Sequence, residues 1–333
     1  MIKEKRRHNY LDSVGGLLLI YMIIGHCCQW AHLWTEFDRY TYWLGFFMPW
    51  FFFKGGMFYK SKTNRDQIST SFRRLIVPFV WFTIIGTCIL WIKEAIFGTF
   101  TLTTIIKNCK CFIREGSFPG NLALWFLISL FCVRIAFNYL HNKFKDSAGF
   151  CNYLWGGVFT ALCLAFIPLH MLSERLGIPY PYYMSNISSG LFFYSCGYWM
   201  RKIKFGATAS FLLIAAYCIF SILSPVCVDM RSGTTVIGNY FLWIPYVLLG
   251  IISFNSIGWF IANSRNIFAK IGVNTMPYYC MHWPVIILVS IFVQRTEGPD
   301  AEFLIWVVLA NIILLPVLTH FLKTHRWNEF LGV

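Results

Sequence analysis

The chain alternates long apolar stretches with short polar ones. Ten runs of about 20 apolar residues lie near 13–32, 40–59, 75–97, 121–140, 150–170, 186–203, 205–223, 237–254, 275–293 and 302–322. Each matches the roughly 20 residues needed to cross about 30 Å of hydrocarbon as an α-helix. The longest polar breaks, 98–120 and 255–274, are too short for a soluble domain. The pattern therefore predicts an all-α polytopic integral membrane bundle of about ten transmembrane helices, a single domain over 1–333, with its chemistry among the helices. The first run follows the basic stretch "MIKEKRRHNY", the layout of a signal peptide, but no small-residue cleavage site follows and the run reads as a retained helix.

Lysine and arginine set the expected orientation. With the N-terminus inside, eighteen of them fall on inner segments and seven on outer ones: Arg39, Lys107, Lys110, Arg114, Arg175, Arg231 and Arg295. That bias predicts both termini cytoplasmic in a multi-pass protein of the inner (plasma) membrane. The net charge of +14 then reflects topology and attraction to anionic membrane lipids, and needs no nucleic-acid partner. The 57% apolar content agrees, since it leaves too little polar surface for a soluble domain. Most of the twelve cysteines sit inside the apolar runs as small apolar side chains. Cys109 and Cys111 are one residue apart and poorly placed to bridge each other, and no Cys/His spacing suggests a zinc site, so no metal is expected. The outer segments 98–120 and 171–185 are the expected extracytoplasmic surfaces for a partner.

Ionisable residues inside the runs carry the functional signal, because each costs several kcal/mol unless paired or hydrated. His26, in "YLDSVGGLLLIYMIIGHCCQW", lies eleven residues after Gly15, which at 100° per residue puts both on one helix face about 16 Å apart. An imidazole past the midplane suits a general base; a neutral histidine bonded to a neighbouring helix is the structural alternative, and the residues alone leave both open. Asp12, followed by Ser13, reads locally as the cap of the first helix. Lys54 in "FFMPWFFFKGGMF" lies about 9 Å from the inner end of the second run, within snorkelling reach. Pro49 is expected to kink that run, and Gly55 and Gly56 to allow close backbone approach. His282 in "GVNTMPYYCMHWPVI" stands between Pro277 and Pro284, the mark of an irregular helix beside a cavity. Trp125 is locally an apolar aromatic, and Arg134 suggests no specific role.

Six of these stretches together resemble the acyltransferase-3 family of integral membrane O-acyltransferases: "LDSVGGLLLIYMIIGH", "FFMPWFFFKGGMF", "RRLIVPF" (73–79), "LWFL" (124–127), "FFYSCGYWMRK" (192–202) and "NTMPYYCMHWP" (274–284). The resemblance implies transfer of an acyl group, most often acetyl, from cytoplasmic acetyl-CoA or another acyl-CoA to a sugar hydroxyl of an extracytoplasmic glycan or its lipid-linked precursor. It implies a carbohydrate acceptor as partner. It makes His26 the catalytic histidine and Arg74 one of the cytoplasmic basic residues, and it matches Tyr279, His282 and Trp125 to positions of the late and middle motifs; His282 and Tyr279 are expected to act with His26, and Lys54, Arg73, Arg74, Asp12 and Trp125 to hold the donor.

The basic cluster Lys60, Lys62, Arg65, Arg73 and Arg74 offers the inner surface a match for an anionic coenzyme. In the family pattern a basic residue stands eleven positions before the histidine, where this chain has Gly15; Ser71 likewise stands where a second arginine is common. Lys54, at a matching depth on the neighbouring run, is the expected substitute. Adjacent helix positions point about 100° apart, so Cys27 and Cys28 do not share the His26 face and a cysteine nucleophile is disfavoured. A transporter or export accessory for a surface polysaccharide remains the competing class.

Overall fold

In the computed structural model the described residues are 9–144, 182–262, 266–293, 298–325 and 327–332, with isolated positions between 158 and 176. Helices stand at nine of the ten predicted runs; the tenth, 150–170, and most of the outer segment 171–185 lie outside the described residues. Six helical stretches among them are long and apolar enough to cross a membrane.

The helices are α1 (Asn9–Trp30), α2 (Trp34–Thr41), α3 (Phe47–Met57), α4 (Asn64–Ser71), α5 (Val77–Ile96), α6 (Leu102–Glu115), α7 (Trp125–Phe144), α8 (Tyr182–Met200), α9 (Ala207–Leu223), α10 (Trp243–Ile261), α11 (Ile267–Val273), α12 (Thr275–Phe292), α13 (Ala301–Thr324) and α14 (Trp327–Leu331). Between α9 and α10, β1 (Cys227–Asp229) and β2 (Thr234–Ile237) form a two-stranded antiparallel hairpin.

α1 is apolar on every side and accordingly central, touching α2, α3, α10, α11, α12 and α13. In lipid no hydrophobic force brings helices together, so close packing does that work and small residues admit it. A Cβ on Gly16 would overlap the Phe268 carbonyl of α11, and one on Gly272 the Asp12 carbonyl of α1. Gly56 and Gly197 play the same part between α3 and α8, where the added carbons would strike the Tyr194 and Phe53 carbonyls.

The ends of the helices sort into two faces. Asp12 meets Gly272, Lys323 hydrogen-bonds Asn274, and Gly332 packs on Arg73 and Pro78, so the N-terminal end of α1, the start of α12, the end of α13 and α14 share a face with Arg73. At the other face Lys93 bonds Ser290 at 2.9 Å and stacks on Trp30, and the Asp300 amide donates to the Ala31 carbonyl at 2.9 Å. The first is the basic face that the charge bias assigns to the inside.

Three prolines explain departures from simple spans. The 40–59 run is not one kinked helix. It breaks at 42–46 through a 3₁₀ turn (Tyr42–Leu44), and Pro49 sits in the first turn of α3, where a missing N–H costs nothing. Before Pro78, residues Phe72–Ile76 widen into a π-turn that carries Arg73 and Arg74 on exposed surface. In α12, Pro284 cannot donate to the Cys280 carbonyl; Asn121 fills the vacancy, its Nδ2 donating at 2.9 Å. Asn121 lies in a kinked 3₁₀ segment, Pro119–Leu124, with extended backbone (φ −159°, ψ 77°), and the same segment accepts bonds from the Tyr279 hydroxyl at Ala123 and from Trp283 at Pro119.

Candidate active site

His26, four residues before the end of α1, and His282, midway along α12, meet at 2.8 Å between His26 Nδ1 and His282 Nε2, with ring planes 9° apart. His282 Nδ1 lies 2.7 Å from the Tyr279 backbone carbonyl. A carbonyl only accepts, so His282 carries its proton on Nδ1 and presents a lone pair at Nε2. His26 must then donate from Nδ1, which leaves the lone pair of its Nε2 without a partner among the described residues. The Tyr279 hydroxyl donates to Ala123, so Tyr279 serves the pair through its carbonyl. Trp283 closes edge-on against the His26 ring at 5.0 Å. His282 is fully buried, while His26 keeps an open edge.

That edge faces a cavity of about 290 Å³ toward the outer face. Its wall includes Trp125, Trp283 and Tyr279 from the bundle, Gln29 one turn above His26, Trp34 and Asp38 from α2, and Asp229 and Arg231 from the hairpin. Arg231 pairs with Glu115 of α6 at 3.2 Å, and its amide and the Ser232 hydroxyl both donate to Asp229, at 2.9 and 2.8 Å. Asp38 lies outside the apolar spans; burial first, then the nearby Asp229 carboxylate, push its pKa up to about 6. Beneath lies a second cavity of about 130 Å³, lined by Leu19, Phe51, Phe126, Leu127, Thr275 and Met276. Met22, Met48 and Tyr279 border both cavities. Each lining residue special to the lower one sits nearer the basic face than its counterpart above, Leu19 two turns below His26 and Thr275 at the start of α12.

The other residues singled out in the sequence form two groups. Lys54 Nζ lies 3.4 Å from Asp12 Oδ1, 3.3 Å from the Leu11 carbonyl and 5.1 Å above the Trp50 ring. A Cβ on Gly15 would meet the Trp50 ring at 3.0 Å and Lys54 Nζ at 3.3 Å, so the indole and the ammonium together occupy the ground that Gly15 leaves open, and the Lys54 side chain is only 20% exposed. Gly16 leaves no such room, because α11 fills it. Asp12 lies inside α1, buried against Lys54, and does not cap the helix as its local sequence suggests. Arg73 and Arg74 lie on the inner face, away from the histidine pair. Arg134, unassigned from sequence, approaches Tyr194 and Arg74. Trp125 stands in the outer cavity wall with His26, apart from Arg73 and Arg74.

Sequence reasoning missed Asn121, Asp38, Asp229 and the hairpin. Pro284 was the available signal for Asn121, since a mid-helix proline strands the carbonyl four residues earlier.

These features define a polytopic membrane protein in which His26, backed by His282, lines the outer cavity, while Met22, Met48 and Tyr279 border both that cavity and an apolar inner one. The model of the acyltransferase domain that defines the acyltransferase-3 family matches residues 8–322, nearly the whole chain, and the chain belongs to that family: it is a membrane acyltransferase. No curated protein and no solved structure matches it.

Proposed function

We propose that the protein moves an acyl group, most simply acetyl, from a cytoplasmic acyl-CoA to a sugar hydroxyl of an extracytoplasmic glycan or lipid-linked precursor, with His26 as general base. The observation that carries this reading is the relay from the Tyr279 carbonyl through His282 to His26, which leaves the His26 Nε2 lone pair free on a ring that lines the outer cavity. The acceptor enters the outer cavity and the thioester reaches His26 through the inner one. His26 Nε2 takes the hydroxyl proton as the oxygen attacks the thioester carbonyl; the C–O bond forms, the C–S bond breaks, and the proton passes to the departing thiolate. The imidazolium formed on the way keeps its Nδ1–H bond to His282, a charge-assisted bond stronger than the neutral one. General bases of this kind contribute about 10²- to 10⁴-fold.

Arg73, Arg74 and Arg134 supply cationic surface for the coenzyme phosphates; among the described residues no carboxylate pairs with them, which suits a polyanion. Lys54, held by Asp12, supplies the positive charge that Gly15 cannot, at the inner approach to the lower cavity. In this reading Asp12 acts through Lys54, and Trp125 walls the acceptor space.

The test is purified protein in detergent with radiolabelled acetyl-CoA and a glycoside acceptor. His26→Ala is expected to lower transfer by about 10²-fold or more, with the elution profile unchanged. Turnover equal to the parent protein removes the mechanism.

A further inference from the structure

Asp38 is a mostly buried residue whose carboxylate has no protein partner among the described residues. It is 5% exposed, it lines the outer cavity, and no described residue gives it a hydrogen bond or an opposite charge. Its nearest ionic neighbour, Asp229, is of like sign and already receives the Arg231 amide and the Ser232 hydroxyl. The cation in the same wall, Arg231, is engaged by Glu115. The Asp38 carboxylate opens onto the cavity with no protein donor among the described residues, so this part of the wall is a place where a ligand can supply the donors.

The flanking groups narrow the ligand's chemistry. Trp34, at the mouth, and Trp125, deeper in, give flat apolar faces of the sort on which a sugar ring's C–H faces rest. Gln29, one turn above His26, adds an amide with no partner among the described residues. A carboxylate that only accepts binds hydroxyl donors, two at once when they are vicinal. Two carboxylates on one wall repel an anionic sugar.

We propose that Asp38 is the acceptor-orienting residue of the outer cavity, accepting hydroxyls of a neutral sugar ring and excluding an acidic one, so that a neighbouring hydroxyl rests on His26. This inference rests on the acyltransfer reading above and adds to it the substrate class and the residue that selects it.

Two measurements on the full-length protein in lipid nanodiscs test it. Saturation-transfer NMR with methyl β-glucoside, methyl β-galactoside and methyl β-glucuronide reads binding without requiring turnover. The parent protein is expected to give signal with the neutral glycosides and at least about fivefold less with the glucuronide; Asp38→Asn, close in shape and uncharged, is expected to remove most of that difference. Transfer from labelled acetyl-CoA to the neutral glycosides is then expected to show an acceptor KM raised about tenfold or more in Asp38→Asn, with the donor KM within about twofold of the parent. Equal binding of glucoside and glucuronide by the parent protein, or an unchanged acceptor KM in Asp38→Asn, overturns the role of Asp38. Sugar binding that depends on Asp38 while His26→Ala transfers acetyl as fast as the parent overturns the general-base reading and leaves the acceptor site standing, so the two failures are told apart.

Discussion

His282→Ala is the most informative single change in the histidine relay. In the folded protein His282 accepts from His26 Nδ1 at 2.8 Å and is itself oriented by the Tyr279 carbonyl at 2.7 Å. Truncation removes the acceptor that selects the His26 tautomer and that holds the imidazolium as it forms. A hydrogen bond to a charged group contributes about 1.5 to 3 kcal/mol, and 1.36 kcal/mol of barrier is a factor of ten in rate, so kcat should fall by about 10- to 150-fold. That is less than the loss expected for His26→Ala, because the base itself is still present. The acceptor KM should hold, since His282 is fully buried beneath His26 and is absent from the outer cavity wall. His282→Gln, whose carbonyl can accept from His26, should recover part of the loss, a rescue that a merely space-filling role would not produce. Initial-rate measurement of label transfer from acetyl-CoA, with both substrates varied, reads kcat and KM separately. A kcat for His282→Ala within about twofold of the parent, or equal losses in His282→Ala and His282→Gln, would refute the relay.

Four further changes probe other parts of the account. Lys54→Ala should raise the donor KM about tenfold, and adding Gly15→Lys should recover part of it, because a side chain at Gly15 starts 3.3 Å from Lys54 Nζ and 3.0 Å from the Trp50 ring; a double variant that elutes as the parent protein does and is no better than the single one counts against Lys54 as the substitute cation. Asn121→Ala strands the Cys280 carbonyl beside Pro284 and should lower stability by about 1 to 3 kcal/mol, read as a lower detergent melting temperature. Gly272→Val drives a side chain into the Asp12 carbonyl and should abolish monodisperse protein, whereas Gly206→Ala, with open space around it, should be silent by size exclusion. Asp38 should make acceptor use pH-dependent: its carboxyl, raised from 3.8 to about 6 by burial and then Asp229, protonates below that pH and loses an acceptor site, so the acceptor KM should climb as pH falls through 6. The same raised pKa means that its stabilising contribution is fully present below pH 3.8 and lost as pH rises through 6, so Asp38→Asn should raise the melting temperature at pH 8 and leave it nearly unchanged at pH 4.

What could be read from the sequence divides along physical lines. Helix positions were legible because lipid imposes one rule on every span, that backbone groups be satisfied internally by a long apolar helix. That His26 and His282 call for a polar partner inside the bundle was legible because an unpaired titratable group at that depth is costly. Their direct contact was not, since 256 residues separate them and only the packing of α12 on α1 joins them. The break at 42–46 hid inside a run that is apolar throughout, where hydropathy gives no signal. Asp12 misled because a carboxylate at a helix start is usually a local matter, whereas here its partner, Lys54, comes from another helix. The outer cavity was least visible. It draws on α2 and a hairpin of seven strand residues between two apolar helices, neither long enough to leave a periodic trace.

Acyl transfer across the bilayer through His26 can be followed in proteoliposomes. Vesicles are loaded with labelled acetyl-CoA, a membrane-impermeant glycoside is supplied outside, and label in the external glycoside is followed for the parent protein and for His26→Ala. Acetylated glycoside is expected outside the parent vesicles, and at least about a hundredfold less outside His26→Ala vesicles. Equal label outside both, or label in glycoside only when donor and acceptor share one compartment, would contradict transfer across the bilayer through His26.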